Sequence, residues 1–385
     1  MSSTMFSEAV ASIDQASADV HGLFGGRSAV SGRVRRDDPQ WNRQLLEAER
    51  FVQDIYTGRR GLHQFSEAMS TSDFPLLFAD SLDRQLYGAY QATTPTWRNY
   101  ARPALVNDFR TVKRFATAGV RGILAKTGEL SEHERRSQGD ATQYTYAVSK
   151  YEAGFALSFE AMVNDDLNAF MRLPQDLADS VTDSEERFVT ALFADASGPH
   201  ATPYTVGNDN IMTGNPSLTR SALQSAITKL MKRTDANNNP IVVNAIELVV
   251  GPGLALTARE IIDATEYRSV GANGDVTIIT GNGVAATLRV SVNYWIPSVC
   301  STANGDTSWW VFANPQGARP ALEFGHLRGY EAPALYEKIP DARRIGGGPE
   351  IFNFDTSSAE KKVMAIFGGS FVDPKMTVAS NGSNS

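Results

Sequence analysis

Residues 144–160 read YTYAVSKYEAGFALSFE, and residues 164–195 read NDDLNAFMRLPQDLADSVTDSEERFVTALFAD. In the first stretch, apolar side chains recur at every second position, which is the period of a β-strand. One face carries Tyr144, Tyr146 and Val148, and the other carries Ala147, Tyr151, Ala153, Phe155, Leu157 and Phe159. Because both faces are apolar, we expect both to be covered in the working state of the protein.

The second stretch has the pattern of an acidic amphipathic helix. Asn164 or Asp165 is a suitable N-cap for a short helix that ends near Leu173, and Pro174 suits the first turn of the helix that follows. The apolar stripe of that second helix consists of Leu177, Val181, Phe188 and Leu192. Its outer face is acidic and consists of Asp176, Asp179, Asp183, Glu185 and Glu186.

The residues before residue 144 predict a partner strand. From Asn107 onward, Phe109, Thr111 and Lys113 alternate with Arg110, Val112 and Arg114. A polar stretch over 126–140, with glycines as turn signals, separates this strand from the return strand. The two strands therefore predict a long hairpin that leads into the helix. A hairpin alone is only marginally stable in water, so we expect it to have a partner, and another copy of the same chain is a candidate.

The hairpin and the helix carry opposite local charge. Residues 110–140 hold seven basic and four acidic residues, a net of +3, whereas residues 160–187 have a net of −6. The basic residues are Arg110, Lys113, Arg114, Arg121, Lys126, Arg135 and Arg136. We take these and the five acids of the outer helix face as candidates for contacts between subunits, because complementary charge steers association and fixes register. The alternative is that both are solvated faces that do not meet.

The totals describe a folded chain that is not a general nucleic-acid binder. It has 385 residues, enough for two domains, and a net charge of −7 from 36 basic and 43 acidic residues. Cys300 is the single cysteine, so no internal disulfide is possible, and we expect it to be buried rather than nucleophilic. No run approaches the roughly 20 apolar residues of a membrane span. These features predict a protein that is made and folded in the cytoplasm.

The sequence offers no motif for catalysis, for a cofactor or for a metal. The five histidines are not at ligand spacing, and helix capping accounts for Asp165-Asp166. Gly251-Pro252-Gly253 lacks the third glycine and the acidic residue of a dinucleotide loop. In the strand pattern around Trp309-Trp310, one ring would face the core and the other an interface. We therefore expect a structural or binding protein with no catalytic residue, no cofactor and no metal.

Several pieces of sequence occur in a specific order. They are residues 151–160, residues 164–170, the acidic helix ending at Phe193, the segment Leu248-Val249-Val250-Gly251-Pro252, and the closing Phe367-Gly368-Gly369. In this order they resemble the major capsid proteins of tailed bacteriophages, the Hong-Kong-97-type fold, and most closely its Mu-like head-subunit branch. The resemblance covers roughly residues 74–375. It implies an α+β fold class and a structural function.

The resemblance also implies a division of the chain into parts. These are an N-terminal arm (1–75), an arm helix and link (76–106), an extended β-hairpin loop (107–160), a peripheral domain with the long spine helix (161–204), an axial domain (205–340), a return to the peripheral domain (341–375) and a C-terminal tail (376–385). The implied function is self-assembly into hexamers and pentamers of an icosahedral shell that encloses double-stranded DNA without sequence-specific binding. Scaffold, portal and decoration proteins are the other implied partners, no membrane is involved, and the location is the virion, assembled in the host cytoplasm.

Two other functions stay open at this point. An encapsulin-type nanocompartment shell would have the same fold, and a two-domain hydrolase or transferase could build its site from scattered residues. Residues 1–72 are short for a cleavable scaffolding segment, so we do not expect self-scaffolding. Lys113 and Lys126 lie where some relatives form Lys–Asn cross-links, but nothing marks the partner asparagine, and we expect no cross-links.

Overall fold

The computed structural model describes residues 74–116, 142–158, 167–235, 239–243, 246–270, 276–280, 282–284, 288–317, 319–338 and 353–383, with single residues within 47–59 and 126–132. Its helices and strands, in chain order, are α1 Phe74–Ala92, β1 Ala101–Val106, β2 Val112–Ala116, β3 Thr142–Tyr146, β4 Ser149–Ser158, α2 Leu167–Phe193, β5 Ala194–Asp195, β6 Gly198–Pro199, α3 Arg220–Met231, β7 Ile246–Val250, α4 Ala255–Asp263, β8 Glu266–Val270, β9 Val276–Thr280, β10 Leu288–Val292, α5 Ile296–Val299, β11 Trp309–Ala313, β12 Leu322–Leu327, β13 Ala334–Glu337, β14 Ser358–Phe371 and β15 Thr377–Ser380. The mixture of helices and sheets agrees with the predicted α+β class.

The chain divides into two compact units. The first comprises Met1–Thr94, Ser149–Asp183 and His326–Phe367, and the second comprises Pro95–Val148, Ser184–Gly325 and Gly368–Ser385. The hairpin strands β2 and β3 belong to the second unit, whereas β4 and the first part of α2 belong to the first.

In the first unit, β14 is the central strand of an antiparallel arrangement. β4 pairs with it over ten residues, from Ser149 opposite Phe367 to Ser158 opposite Ser358, and β13 pairs with its other edge. The α1 helix packs beside β13, where the backbone N–H of Leu335 donates to Asp83 Oδ1 at 3.2 Å. Along β14, Val363 and Ala365 are buried while Lys362 is exposed, which is the alternation of a sheet with one covered face.

The second unit is built on a four-stranded sheet in the order β10-β7-β11-β15. β7 and β10 are parallel, and the other two pairs are antiparallel. Every residue of β7 and of β11 is buried, as expected for central strands that are covered on both faces. Helix α3, which is N-capped by Thr219, packs against β11 and β15, and α4 packs against β10. β1 pairs with β12, and β2 pairs with β3 as a hairpin.

The predicted hairpin is present, but its strands are divided differently. The first arm is not one strand from Asn107, because β1 ends at Val106 and β2 begins at Val112. In the bend between them, the N–H of Arg110 donates to Asp108 Oδ1 at 3.1 Å. The return strand is interrupted at residues 147–148, between β3 and β4. There the backbone of residues 147–148 lies so close to Gly368 that a side chain on residue 368 would overlap the carbonyl oxygen of residue 147.

The α2 helix is continuous, whereas the sequence predicts a break before Pro174. Proline inside a helix costs about 3 kcal/mol. Pro174 is buried, however, and it is in line with Ala178 and Val181, which are also buried. Burial of this continuous face outweighs the cost. The predicted stripe is correct at Val181, but Leu177, Phe188 and Leu192 are only half-buried.

Two further predictions are wrong. The sequence predicts a free tail over 376–385, but Thr377–Ser380 is strand β15, which is buried and pairs with β11. The sequence also predicts that one of Trp309 and Trp310 faces an interface, yet both side chains are fully buried. Because β11 lies between two strands and is covered on both faces, alternation brings neither ring to the surface.

Candidate inter-subunit surface

The residues predicted to contact another subunit fall into three groups. Exposed positions are held by Arg110, Lys113, Lys126, Asp176, Asp179 and Asp183. Arg121, Arg135 and Arg136 lie outside the described residues. The remaining three are Arg114, which is half-buried, and Glu185 and Glu186, which are buried. The first group is exposed, whereas the last group is bonded inside its own unit.

The hairpin has two different faces. β2 and β3 pair from Val112 opposite Tyr146 to Ala116 opposite Thr142. The outward face is exposed and carries Lys113, Phe115, Gln143 and Thr145. Phe115 is 57% exposed, and Phe109, in the bend before β2, is 51% exposed. Two phenylalanine rings in water are apolar area that a partner surface would bury favourably.

The inward face of the hairpin meets one buried carboxylate. Glu323 on β12 is fully buried. Its Oε1 accepts hydrogen bonds from Arg114 Nε at 2.6 Å and from the Tyr146 hydroxyl at 2.6 Å. Its Oε2 accepts from Arg102 Nη2, on β1, at 2.7 Å. Arg114 is thus paired within its own unit, and its contact with another subunit stays an untested prediction.

The protonation of this cluster follows from its contacts. Burial alone would raise the pKa of Glu323, but the hydrogen bonds from Tyr146, Arg102 and Arg114 outweigh it, and the pKa lies below the ordinary glutamate value. Burial opposes the charge on Arg114, and its contacts with Glu323 more than compensate, so that the Arg114 pKa is raised. Burial and the neighbouring carboxylate both raise the pKa of Tyr146. The cluster consequently holds one carboxylate, two guanidinium groups and a neutral phenol.

Two glycines make room for the return strand. A side chain on Gly325 would come within 2.9 Å of the Tyr146 hydroxyl oxygen, and one on Gly368 would overlap the backbone of residues 147–148. Real Cβ atoms do not approach other atoms this closely. Only glycine therefore allows the base of the hairpin to lie against β12 and β14.

Glu185 and Glu186 hold the segment that precedes β1. Trp97 Nε1 donates to Glu185 Oε2 at 3.2 Å, and the backbone N–H groups of Thr96 and Trp97 donate to Glu186 Oε1. Burial raises the pKa of Glu186, and these donors oppose the shift. The two acids thus bind the first turn of the 3-10 helix Thr96–Asn99, and their assignment to the outer face of α2 is wrong. The helix turns these positions inward because they continue its buried face.

The first unit has an open sheet face that sequence reasoning missed. A shallow groove of about 600 Å³ crosses β4, β14 and β13. Gly154 and Ala156 form part of its lining, and both are exposed. Lys362 Nζ bonds Glu152 Oε1 at 3.1 Å and lies 5.5 Å from the centre of the Tyr336 ring. The small residues Gly154 and Ala156 in β4 were the sequence signal that could have indicated this groove.

Within the described ranges, no group of three or more His, Cys, Asp or Glu side chains could hold a metal ion. No helix in the same ranges is long and apolar enough to cross a membrane.

The model of one protein family, described as phage capsid protein, matches residues 142–379, which is more than half of the chain. The matched residues include β3, β4, the whole of α2, the second unit's central sheet and Glu323. The fold and the match define a shell-forming structural protein. The chain belongs to the phage capsid protein family, and its function is that of a major capsid protein.

Solved structures of shell proteins are also similar to the chain. The capsid of an empty GTA particle is 12% identical with a TM-score of 0.45, covering 74% of this chain and 89% of that one. A structure of Mycobacterium phage Che8 is 14% identical with a TM-score of 0.39, covering 71% and 85%. The holo-SrpI encapsulin complex from Synechococcus elongatus PCC 7942 is 10% identical with a TM-score of 0.44, covering 77% and 90%. No curated protein matches the chain.

Proposed function

We propose that this capsid protein forms hexamers and pentamers of an icosahedral Hong-Kong-97-type shell around double-stranded DNA. In this proposal the protein has no enzymatic activity, is a Mu-like head subunit, and assembles in the host cytoplasm with scaffold, portal and decoration proteins. The arm, extended loop, peripheral domain and axial domain are the parts assigned by resemblance above.

The exposed outer face of the hairpin is the observation that carries this proposal. Phe109 and Phe115 are each more than half exposed. The opposite face of the hairpin is hydrogen-bonded within its own unit, through Arg114 and Glu323. A lone subunit gains nothing from this arrangement, whereas a second copy lying over the outer face and the bend before β2 would bury both rings. The hairpin is therefore proposed to reach over a neighbouring subunit.

Charge is proposed to guide this contact. Arg110 and Lys113 are exposed on the hairpin, and Asp176, Asp179 and Asp183 are exposed on α2. Opposite charges on two surfaces that meet raise the association rate and exclude wrong registers. Arg114 does not belong to this set, since reversing its charge would bring a second carboxylate up to buried Glu323 and damage the fold.

The test is the double variant Arg110→Glu/Lys113→Glu, compared with Lys232→Glu, an exposed lysine elsewhere in the second unit. Each chain is passed over a sizing column and examined by negative-stain electron microscopy, and circular dichroism checks that it is folded. We expect ring-shaped capsomers or closed shells from the unmodified chain and from Lys232→Glu, and few from the double variant. Shells at normal yield from the double variant would refute the steering role. Persistent monomers of every chain, even with co-expressed neighbouring genes, would refute the assembly proposal.

The contents of purified shells separate the two kinds of compartment. A virion shell assembled in the presence of its packaging partners would hold double-stranded DNA, which nuclease treatment after disruption would degrade. An encapsulin-type shell would instead hold a protein cargo and no genome, and finding that content would overturn the virion proposal.

A further inference from the structure

The direction of the hairpin must be fixed by something other than the hairpin. A two-stranded ribbon bends and twists easily and is marginally stable alone. β2 and β3 pair only with each other among the described strands. Contacts from the rest of the second unit must therefore decide where the outer face points.

Glu323 is the point at which four strands are joined. Arg114 comes from β2, Tyr146 from β3 and Arg102 from β1, and all three donate to the same carboxylate on β12 at 2.6–2.7 Å. β1 and β12 belong to a larger sheet, whereas β2 and β3 do not. The carboxylate thus connects both strands of the hairpin to β1 and β12, which pair with each other.

The geometry of these bonds makes the attachment directional. A guanidinium donates along fixed directions in its own plane, and charge-assisted hydrogen bonds weaken quickly when they are bent or stretched. If the hairpin swung away from β12, the buried Glu323 carboxylate would lose two of its three donors, and breaking a buried ion pair is costly. Apolar contacts alone would tolerate sliding, because they have no preferred direction.

We infer that Glu323 is a positioning residue of the capsid subunit, which sets the direction of the hairpin before a neighbouring subunit is met. Arg114 and Tyr146 are the hairpin's two contacts with it, and Arg102 keeps the carboxylate compensated from the side of the sheet. The outer face of the hairpin then already has its final direction when the subunit meets its neighbour. The expected effect on shell formation rests on the proposed assembly function, whereas the expected effect on hairpin direction in a single subunit does not.

The experiment measures hairpin direction inside one unit by electron spin resonance. Nitroxide labels are placed at Gln143→Cys on β3 and Ser225→Cys on α3, which are both exposed positions of the second unit. The native Cys300 is buried, and burial raises its pKa to about 11, so it resists labelling. Labelled chains are diluted into an excess of unlabelled chain, so that each distance belongs to a single subunit.

Arg114→Met is the test variant, and Lys113→Met is the matched control one residue away, with the same loss of charge but an exposed side chain. We expect one narrow distance distribution for the parent and for Lys113→Met, and a broadened or shifted one for Arg114→Met. Arg114→Lys keeps the charge but not the planar donor, and we expect an intermediate width. If Arg114→Met does not fold, Arg114→Lys carries the test alone. A distribution equal to that of the parent in the folded Arg114 variants would overturn the inference.

Shell formation gives the second readout. We expect Arg114→Met to form fewer closed shells than the parent. Normal shells from an Arg114→Met chain whose label distances are broad would overturn the link between hairpin direction and assembly, while the capsid function itself would stand. Absence of shells from the parent chain would count against the assembly proposal and would leave the distance measurement valid.

Discussion

Tyr146→Phe is the mildest change that reaches the buried carboxylate. It removes one hydroxyl, which donates to Glu323 Oε1 at 2.6 Å, and it leaves the ring, both arginines and the net charge in place. A hydrogen bond to a charged group contributes about 1.5–3 kcal/mol. The second unit is in the size range in which 1 kcal/mol shifts the melting temperature by about 2–4 °C, so we expect a fall of roughly 3–12 °C.

Tyr144→Phe supplies the matched control. Tyr144 is two residues earlier on the same face of β3 and is half-buried. Burial raises its pKa, with Asp373 adding to the shift and Arg319 opposing it, so its hydroxyl lies in a different electrostatic environment from that of Glu323. We expect this variant to lose less than half as much stability as Tyr146→Phe.

Tryptophan fluorescence is the assay, because four of the five tryptophans, Trp97, Trp295, Trp309 and Trp310, lie in the second unit. The signal therefore mainly follows the unit that holds the carboxylate. The pKa of folded Glu323 is lowered, so its stabilisation is present above the unfolded value, about 4.3, and is lost as the pH falls through the folded value. The difference in melting temperature between Tyr146→Phe and the parent should be largest at pH 7 and should decrease at acidic pH. An equal loss in the two tyrosine variants, or a loss that does not depend on pH, would refute the role given to this hydrogen bond.

Three other changes test other parts of the structure. Burial raises the pKa of Glu247, and a hydrogen bond from Ser291 opposes this shift, so the folded chain should become more stable as the pH falls toward the pKa of the unfolded chain. We expect Glu247→Gln to raise the melting temperature at pH 7 and to flatten this pH dependence. An unchanged pH profile of the melting temperature would contradict this prediction. Gly382 has φ +70° and a side chain there would overlap the Thr307 carbonyl, whereas Gly214 has φ +73° and open space around it. We expect Gly214→Ala to lower the free energy of unfolding in urea by about 1 kcal/mol and Gly382→Ala to lower it clearly more. Equal losses would show that the loop at Thr307 moves to accommodate the side chain. Phe115→Ser should reduce shell yield without lowering the melting temperature, because the ring is 57% exposed; a stability loss like that of a core variant would mean that the ring packs in its own unit.

Local sequence patterns predicted part of the regular structure. The alternation over residues 144–159 predicted all of β4 and residues 144–146 of β3. Thr219 is the N-cap of α3 as its residue type suggests. These signals are local, because they depend on neighbours within one or two turns of the chain.

Most of the wrong predictions concern long-range partners. Glu185 and Glu186 look like solvent-facing acids, but their donors at Thr96 and Trp97 are 88–90 residues away in the chain. The polar segment after Met376 looks like a tail, yet Thr377–Ser380 is buried because β11 pairs with it. Arg114 and Glu323 are 209 residues apart. No periodicity contains such information, since it arises only when the fold brings distant segments together.

The two faces of β2 explain why an ion pair between Arg114 and Glu323 suits this hairpin better than apolar packing would. The inward face carries Val112 and Arg114, and the outward face carries Lys113 and Phe115, so each face has one cation and one apolar residue. A shift of one residue in register would exchange the faces at little hydrophobic cost. It would, however, place Lys113 where Arg114 meets Glu323, and an ammonium cannot reproduce the planar donor geometry of a guanidinium. An ion cluster of this kind often stabilises no more than an apolar one would. Its contribution here is to make the exchanged register unfavourable, so that Phe115 stays on the face that is proposed to meet the neighbouring subunit.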